Sequence, residues 1–194
     1  MSADALILAS QSPRRRQLLA LLTASFAVRP AAVDETPLGG EAPTRYAARV
    51  ARDKAVAVDG RAVLAADTTV ALGEDILGKP RDRADAAAML RALSGRRHWV
   101  HTALALRCDG RLRELTVSTA VDFAALDDGL LAFYLDSDEP WDKAGAYGIQ
   151  GRAAAFVRSV HGSYSNVVGL PLVETRELLQ AAGLLPRAAA VAHE

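Results

Sequence analysis

The sequence predicts an α/β fold, and three observations carry that prediction. Leu6-Ile7-Leu8-Ala9 is a short apolar run suited to a buried strand, and a helix-start signal follows within a few residues. Ala62 to Leu72 is an apolar run of the kind expected of a central strand buried on both faces. Arg97 to Cys108 and Arg111 to Phe123 read as strands joined through Asp109-Gly110, a strong hairpin signal. Helical stretches stand between these strands. With 194 residues, 51% of them hydrophobic, the chain can build one well-packed domain or two small lobes around a cleft. We expect one domain over residues 1–186 and a loosely ordered, alanine-rich tail over 187–194.

Composition narrows the function. Lys+Arg and Asp+Glu both count 23, so the formal charge is zero. That argues against binding nucleic acid through a general basic surface, and any anion site must be local. Cys108 is the single cysteine, which excludes an internal disulfide and fits a reducing compartment. It ends an apolar run and reads as structural. No stretch is long enough to span a membrane, and the first residues lack the pattern of a signal peptide. The cytoplasm is the expected location.

After the first strand, Ser12 is a good N-cap and Pro13 suits the first helical position. Leu18, Leu19 and Leu22 then recur at helical spacing. Arg14, Arg15 and Arg16 therefore fall in the first turn, where the helix dipole already carries partial positive charge. Free N–H groups, serine hydroxyls and forked guanidiniums would together cradle a phosphate there. The plain alternative is a solvated basic turn. Phe26 to Val33 reads as a second strand, followed by Asp34-Glu35 and a Pro/Gly-rich loop from Thr36 to Pro43. Two carboxylates at a strand end suit a divalent cation or simply face water.

Thr44 to Ala57 is a helix with Tyr46, Ala47, Val50 and Ala51 on its apolar stripe. Lys54 lies one turn beyond Val50 on the same stripe. A lysine there snorkels to water, or points into a cleft if the stripe borders one. In the central strand, Asp67 interrupts the apolar run of Ala62 to Leu72. A buried carboxylate is costly unless paired or bound to metal, so Asp67 is the best single candidate for function. The alternative is a structural aspartate that caps Thr68 or Thr69 backbone groups.

Gly73 to Pro80 nearly spells a Walker-A loop, but Pro80 stands where that loop needs Ser or Thr and a helix start. A turn at Gly73–Asp75 and a return strand over Ile76–Lys79 fit better, and they bring Lys79 near the strand of Asp67. Asp82 caps a helix over Arg83–Leu93, which Gly95 stops. His98 and His101 lie three apart on a strand, so they point to opposite faces and cannot share an ion. Leu126 to Ser137 is a helix. The loop from Glu139 to Gly151 follows, with glycines at 145, 148 and 151 that let a ligand approach the backbone. Those glycines do not match the dinucleotide fingerprint. Gln150 carries both donor and acceptor, the equipment for reading a base edge. Trp141 and Tyr147 would stack on a base or belong to the core. Ala153 to Val160 reads as a strand, Gly162 to Asn166 as a polar turn, and Pro171 opens a last helix.

Five segments then resemble one family in their order. They are Ser10-Gln11-Ser12-Pro13-Arg14-Arg15, Ala66-Asp67-Thr68, Gly78-Lys79-Pro80-Arg81-Asp82, the run from Asp142 to Gly151, and Val168-Gly169-Leu170-Pro171. From about Leu6 to about Leu179 the chain resembles the Maf family of nucleoside triphosphate pyrophosphatases. The run Ala146-Tyr147-Gly148-Ile149-Gln150-Gly151 is similar to that of its dTTP/UTP branch, whereas the 7-methyl-GTP branch carries glutamate in the equivalent stretch. The resemblance implies a mixed, curved sheet with flanking helices and a deep central cleft, a Maf/ITPase-like architecture often found as a homodimer. It implies a divalent cation, Mg²⁺ or Mn²⁺, and hydrolysis of a nucleoside triphosphate to monophosphate and pyrophosphate, a house-cleaning activity on nucleotide pools. By position, Asp67 matches the family's proton acceptor. Arg14, Thr68 and Gln150 match its specificity positions, and Ser10, Arg15, Glu35, Lys54 and Lys79 match further cleft residues. Asp67 and Glu35 would hold the metal, although relatives carry Glu-Glu where this chain has Asp34-Glu35, so either acid is a candidate. Two other readings stay open: a non-catalytic nucleotide-binding regulator linked to septum formation, and an ITP/XTP-type pyrophosphatase.

Overall fold

The computed structural model describes residues 6–186. The expected tail at 187–194 lies outside the described residues. The strands are β1 (Ile7–Leu8), β2 (Ala27–Val28), β3 (Ala62–Leu72), β4 (Asp75–Leu77), β5 (Arg97–Cys108), β6 (Arg111–Phe123) and β7 (Val157–His161). The helices are α1 (Pro13–Ala20), α2 (Pro43–Ala57), α3 (Arg83–Leu93), α4 (Asp128–Leu135), α5 (Tyr164–Val168) and α6 (Leu172–Ala181). The strands form one mixed sheet in the order β2-β1-β3-β5-β6-β7, with β4 also on β3. Among the described residues no helix is long and apolar enough to cross a membrane.

The pairing of β3 decides where a site can form. On one side β3 pairs antiparallel with β5 along nearly its whole length, from Ala62 to Ala71. On the other side β1 pairs only with Val63 and Leu64, and β4 only with Val70, Ala71 and Leu72. Between those short partners, residues 65–69 face no strand. This is a gap in the middle of the sheet rather than at its rim, and Asp67 and Thr68 stand in it.

Side-chain alternation along β3 then sorts the core. Val63 and Ala65 pack with Ala47, Ala51 and Ala55 of α2 on one face. Leu64 and Ala66 pack with Leu19, Leu170, Leu178 and Leu179 on the other, beneath α1 and α6. A third cluster gathers Val70, Leu90, Val100, Phe123, Tyr134, Tyr147 and Phe156 at the far end of the strand. In phase with Val63 and Ala65, Asp67 faces α2. In phase with Leu64 and Ala66, Thr68 faces α1.

Several expected boundaries need correction. The second strand is only Ala27–Val28, because its partner β1 is equally short and Pro30 lacks the N–H needed to extend the ladder. The return strand is Asp75–Leu77, so Lys79 lies just beyond it. Ala153 to Val160 is not one strand: Arg152–Phe156 forms a 3₁₀ turn, and the strand starts at Val157. The alanine run there suits a helical turn, and β-branched Val157 suits a strand. The polar turn at Gly162–Asn166 is instead an N-cap, Ser163, followed by α5. The hairpin at Asp109-Gly110 and the caps at Ser12 and Asp82 form as the sequence predicts.

The two strand histidines do diverge. His98 Nε2 lies 2.7 Å from the Tyr147 hydroxyl, within the third cluster. His101 Nδ1 lies 2.7 Å from Ser118 Oγ on the opposite face. Burial lowers the pKa of His98 from 6.5 to about 4. The unfolded chain therefore binds a proton below pH 6.5 that the folded chain refuses until about pH 4, so stability falls as pH falls through that window. The loss reaches up to about 3 kcal/mol. His98→Leu has no such proton to bind. Thermal unfolding of both proteins at pH 7.0, 5.5 and 4.5 should therefore show the wild type's advantage shrinking as acid is added.

Candidate active site

A cleft of about 930 Å³ opens over the unpaired stretch of β3. Ser10, Arg14, Arg15, Glu35, Lys54, Asp67, Thr68, Lys79 and Gln150, all singled out in the sequence, line it. They come from six separate parts of the chain, and the gap in the sheet brings them together.

Lys54 sits at the centre. Small residues at 47, 51 and 55 let α2 lie close on the sheet, and Lys54 projects from the same buried stripe. Its ammonium lies 2.8 Å from Asp67 Oδ1 and 2.8 Å from Glu35 Oε1. Lys54 and Asp67 are both buried, while Glu35 is half exposed at the cleft's edge. Burial works against the charged form of Glu35, but the Lys54 ammonium, with Lys79 and Arg15, outweighs it and holds the carboxyl below its ordinary pKa. The Tyr46 hydroxyl donates to the Glu35 carbonyl at 2.8 Å and ties the loop down. Asp34 turns the other way, accepts from its own loop at Thr36 N and does not line the cleft. Of the two adjacent acids, only Glu35 shares the Lys54 ammonium with Asp67.

The opposite wall begins at α1. Ser12 Oγ accepts from Arg15 N, and Ser10 Oγ accepts from Ser12 N. The two cleft arginines then behave differently. Arg15 is bracketed: Nε donates to the Gly169 carbonyl at 2.8 Å, Nη1 to Ser10 Oγ at 3.3 Å and Nη2 to Thr68 Oγ1 at 2.9 Å. Burial lowers its pKa, while Asp67 and Glu35 pull it back up. Arg14 is more exposed and meets a single carboxylate, Asp142, at 3.3 Å. Arg16 does not reach the cleft.

The far wall is the segment from Glu139 to Gly151, which contains 3₁₀ turns at Pro140–Asp142 and Ala144–Ala146. Gln150 lies exposed there, and its amide makes no hydrogen bond to the described residues. Lys79 pairs with no carboxylate within 4 Å among the described residues, so its ammonium is available to a ligand. Tyr147 belongs to the core and shows one edge to the cleft, whereas Trp141 is part-exposed and donates to the Ser137 carbonyl.

The sequence reading gave no role to Glu139, Asp142 or Lys143, which also line the cleft. Asp142 bridges Arg14 and Lys143. Burial opposes its charge, but those two cations outweigh burial and hold its carboxyl low. Glu139 accepts from Arg152 N with both oxygens and closes the loop on itself. The signal for Asp142 was its place in the run that ends at Gln150.

The donor set fits a divalent cation. Asp67 and Glu35 supply hard oxygens that already converge on one positive group, and Mg²⁺ or Mn²⁺ takes one or two carboxylates alongside phosphate and water. Charge points the same way. Arg14, Arg15, Lys54, Lys79 and Lys143 face Glu35, Asp67, Glu139 and Asp142, so the side chains leave a net charge near +1. A ligand with several negative charges would exceed that +1, and a cation held by Asp67 and Glu35 would offset the excess.

Residues 5–182 match the family described as Maf-like protein. The dTTP/UTP pyrophosphatase of Anaeromyxobacter dehalogenans (strain 2CP-1 / ATCC BAA-258) is 56% identical over 185 residues, covering 93% of this chain and 95% of its own. The dTTP/UTP pyrophosphatase of Myxococcus xanthus (strain DK1622) is 56% identical over 191 residues, covering 95% and 96%. Among solved structures, the Staphylococcus aureus Ham1 protein aligns with a TM-score of 0.54 at 13% identity, over 91% of this chain and 98% of that one. That likeness concerns the fold alone.

Removing Lys54 leaves the buried Asp67 without an ion-pair partner within 4 Å among the described residues. Lys54→Met should lose about 3 kcal/mol, the low end for a broken buried pair because the cleft admits water. Adding Asp67→Asn should return part of that loss. Urea unfolding of the two single variants and the double variant measures the coupling directly.

Proposed function

The chain belongs to the Maf-like protein family, and from that premise we propose that it hydrolyses dTTP and UTP to the monophosphate and pyrophosphate. One observation carries the reading: Lys54 holds Glu35 and Asp67 together opposite Arg14 and Arg15, at the gap in the sheet. Phosphoryl transfer needs charge neutralisation and a positioned nucleophile rather than covalent help. An acid pair facing a cationic helix start supplies both.

In this mechanism Arg14 leaves Asp142 and takes phosphate oxygens, joined by Lys79. Arg15 already spends its donors on Gly169, Ser10 and Thr68, so it fixes the wall and adds positive charge. Asp67 accepts the proton of the attacking water, and Lys54, 2.8 Å from Oδ1, holds the carboxylate in place. Attack at the α-phosphorus expels pyrophosphate. Asp67 and Glu35 would hold a divalent cation, which neutralises phosphate charge and polarises the P–O bonds when bound. The amide of Gln150 pairs with the alternating carbonyl and N–H edge of uracil or thymine. The reading includes no nucleic-acid or membrane partner. A homodimer in the cytoplasm remains part of the proposal.

A panel of nucleoside triphosphates with added Mg²⁺ or Mn²⁺, followed by pyrophosphate release, tests the whole reading. UTP and dTTP should be turned over in preference to purine nucleotides, and absence of turnover on every nucleotide would favour a binding protein. Asp67→Asn should slow turnover by ~10² to 10⁴, the usual range for a lost general base, without loss of fold. Near-wild-type rates in that variant would refute its role. Gln150→Glu puts acceptors where a donor is needed and should cut kcat/KM for UTP and dTTP by at least about tenfold. An unchanged preference across the panel would exclude the amide as the base reader.

A further inference from the structure

We propose that His98 is a positioning residue for nucleotide selectivity: from behind the cleft wall it holds Tyr147, and through Tyr147 the backbone that presents Gln150. The inference rests on the reading of Gln150 as the base reader.

His98 touches neither the cleft nor its ligand. It is fully buried, and it sits among aromatic rings. Phe123 packs edge-on against it at 4.8 Å between centroids, and Tyr147 at 5.4 Å. Its Nε2 meets the Tyr147 hydroxyl at 2.7 Å, while its Nδ1 has no hydrogen-bond partner among the described residues. Leu at 98 and Phe at 147 would fill the same space without leaving a buried polar atom unpaired. What they would lack is the directional bond. A polar pair in an apolar cluster fixes the angle at which one ring sits on another, and that is a gain in geometry rather than in affinity.

The backbone beside Tyr147 needs such fixing. Gly145 has φ 69° and Ala146 has φ 59°, so two successive residues adopt the left-handed region. For alanine that conformation is costly and persists only where the surroundings impose it. The surroundings here are tight. A Cβ at Gly145 would stand 2.9 Å from a methyl of Val70, and Gly145 N donates to the Gly78 carbonyl at 3.0 Å. Tyr147 follows this strained pair directly, and Gln150 lies three residues further on. With its hydroxyl pinned, the ring cannot tilt, and the chain leaves Tyr147 in one direction. A hydrogen bond from an amide to a base edge fails when displaced by about 1 Å, so a small rotation at Tyr147 is enough to lose it.

The test is kinetic and needs the full chain. Wild type, His98→Leu, His98→Gln, Tyr147→Phe and the double variant His98→Leu/Tyr147→Phe are assayed on UTP, dTTP, CTP and GTP with Mg²⁺. Near-UV circular dichroism and the thermal midpoint give the folded fraction of each. For His98→Leu we expect the KM for UTP to rise about tenfold with kcat within about threefold. The UTP-to-CTP ratio of kcat/KM should fall about tenfold. Tyr147→Phe should lose the same ratio, and the double variant should be no worse than either, because one bond serves both residues. His98→Gln keeps a group able to bond the phenol and should recover part of the ratio. A merely structural histidine would lower kcat in step with the folded fraction and leave the ratio unmoved; that result overturns the inference. If His98→Leu does not fold, Tyr147→Phe decides alone, and its retention of the wild-type ratio overturns the inference equally. A wild type that does not discriminate among the nucleotides refutes the base-reading role of Gln150, and this inference falls with it. A discriminating wild type beside a discriminating His98→Leu refutes only the role given to His98.

Discussion

Asp67 stands in the middle of an eleven-residue strand, in phase with Val63, Ala65 and Thr69, and it stays there because Lys54 meets it. A carboxylate so placed is costly to bury unless it is paired. The lysine in turn reaches it only because alanines at 47, 51 and 55 let α2 approach the sheet closely. Glu35 completes the arrangement from a loop that Tyr46 ties to the same helix. The strand, the helix and the loop therefore depend on one ammonium group.

The gap in the sheet is the second constraint. A strand hydrogen-bonded on both sides along its length offers no room for a ligand. Because β1 and β4 are short and occupy opposite ends of the same edge, the middle of β3 is left open. Alternation along that open stretch sends Asp67 toward α2 and Thr68 toward α1, so the two walls carry opposite chemistry. Acid and lysine stand on one side. Arginine and hydroxyl stand on the other. A chain of bonds from Arg15 through Thr68, Thr102 and Asn166 to Thr119 ties the second wall into β5 and β6.

Among the described residues every cation in the cleft except Lys79 already has a partner. Lys54 has two carboxylates, Arg14 and Lys143 share Asp142, and Arg15 is held by neutral acceptors. Such pairing keeps a charged cavity stable without ligand, and it sets a threshold for entry. A ligand must offer more than Asp142 offers to Arg14. The phosphate oxygens of the proposed substrate, with the divalent cation proposed to accompany it, would meet that demand.

Local chemistry was legible in the sequence by itself. Ser12 and Pro13 start α1, Asp82 caps α3, and Asp109-Gly110 closes the long hairpin, because caps and tight turns depend on a few adjacent residues. Asp67 and Lys54 stood out as charges on apolar patterns, and the resemblance to a known family collected the remaining cleft residues. The sequence could not show which of Asp34 and Glu35 turns inward, since neighbours in a loop differ only in where the loop is tied. Local pattern alone could not separate Arg14 from Arg15, because partners as far away as Asp142 and Gly169 give them different surroundings. It misjudged the second strand and residues 153–160, whose apolar runs suit more than one local structure. Those choices belong to the tertiary structure, in which β1 and β4 leave β3 half paired, a condition set by contacts between residues that no local pattern connects.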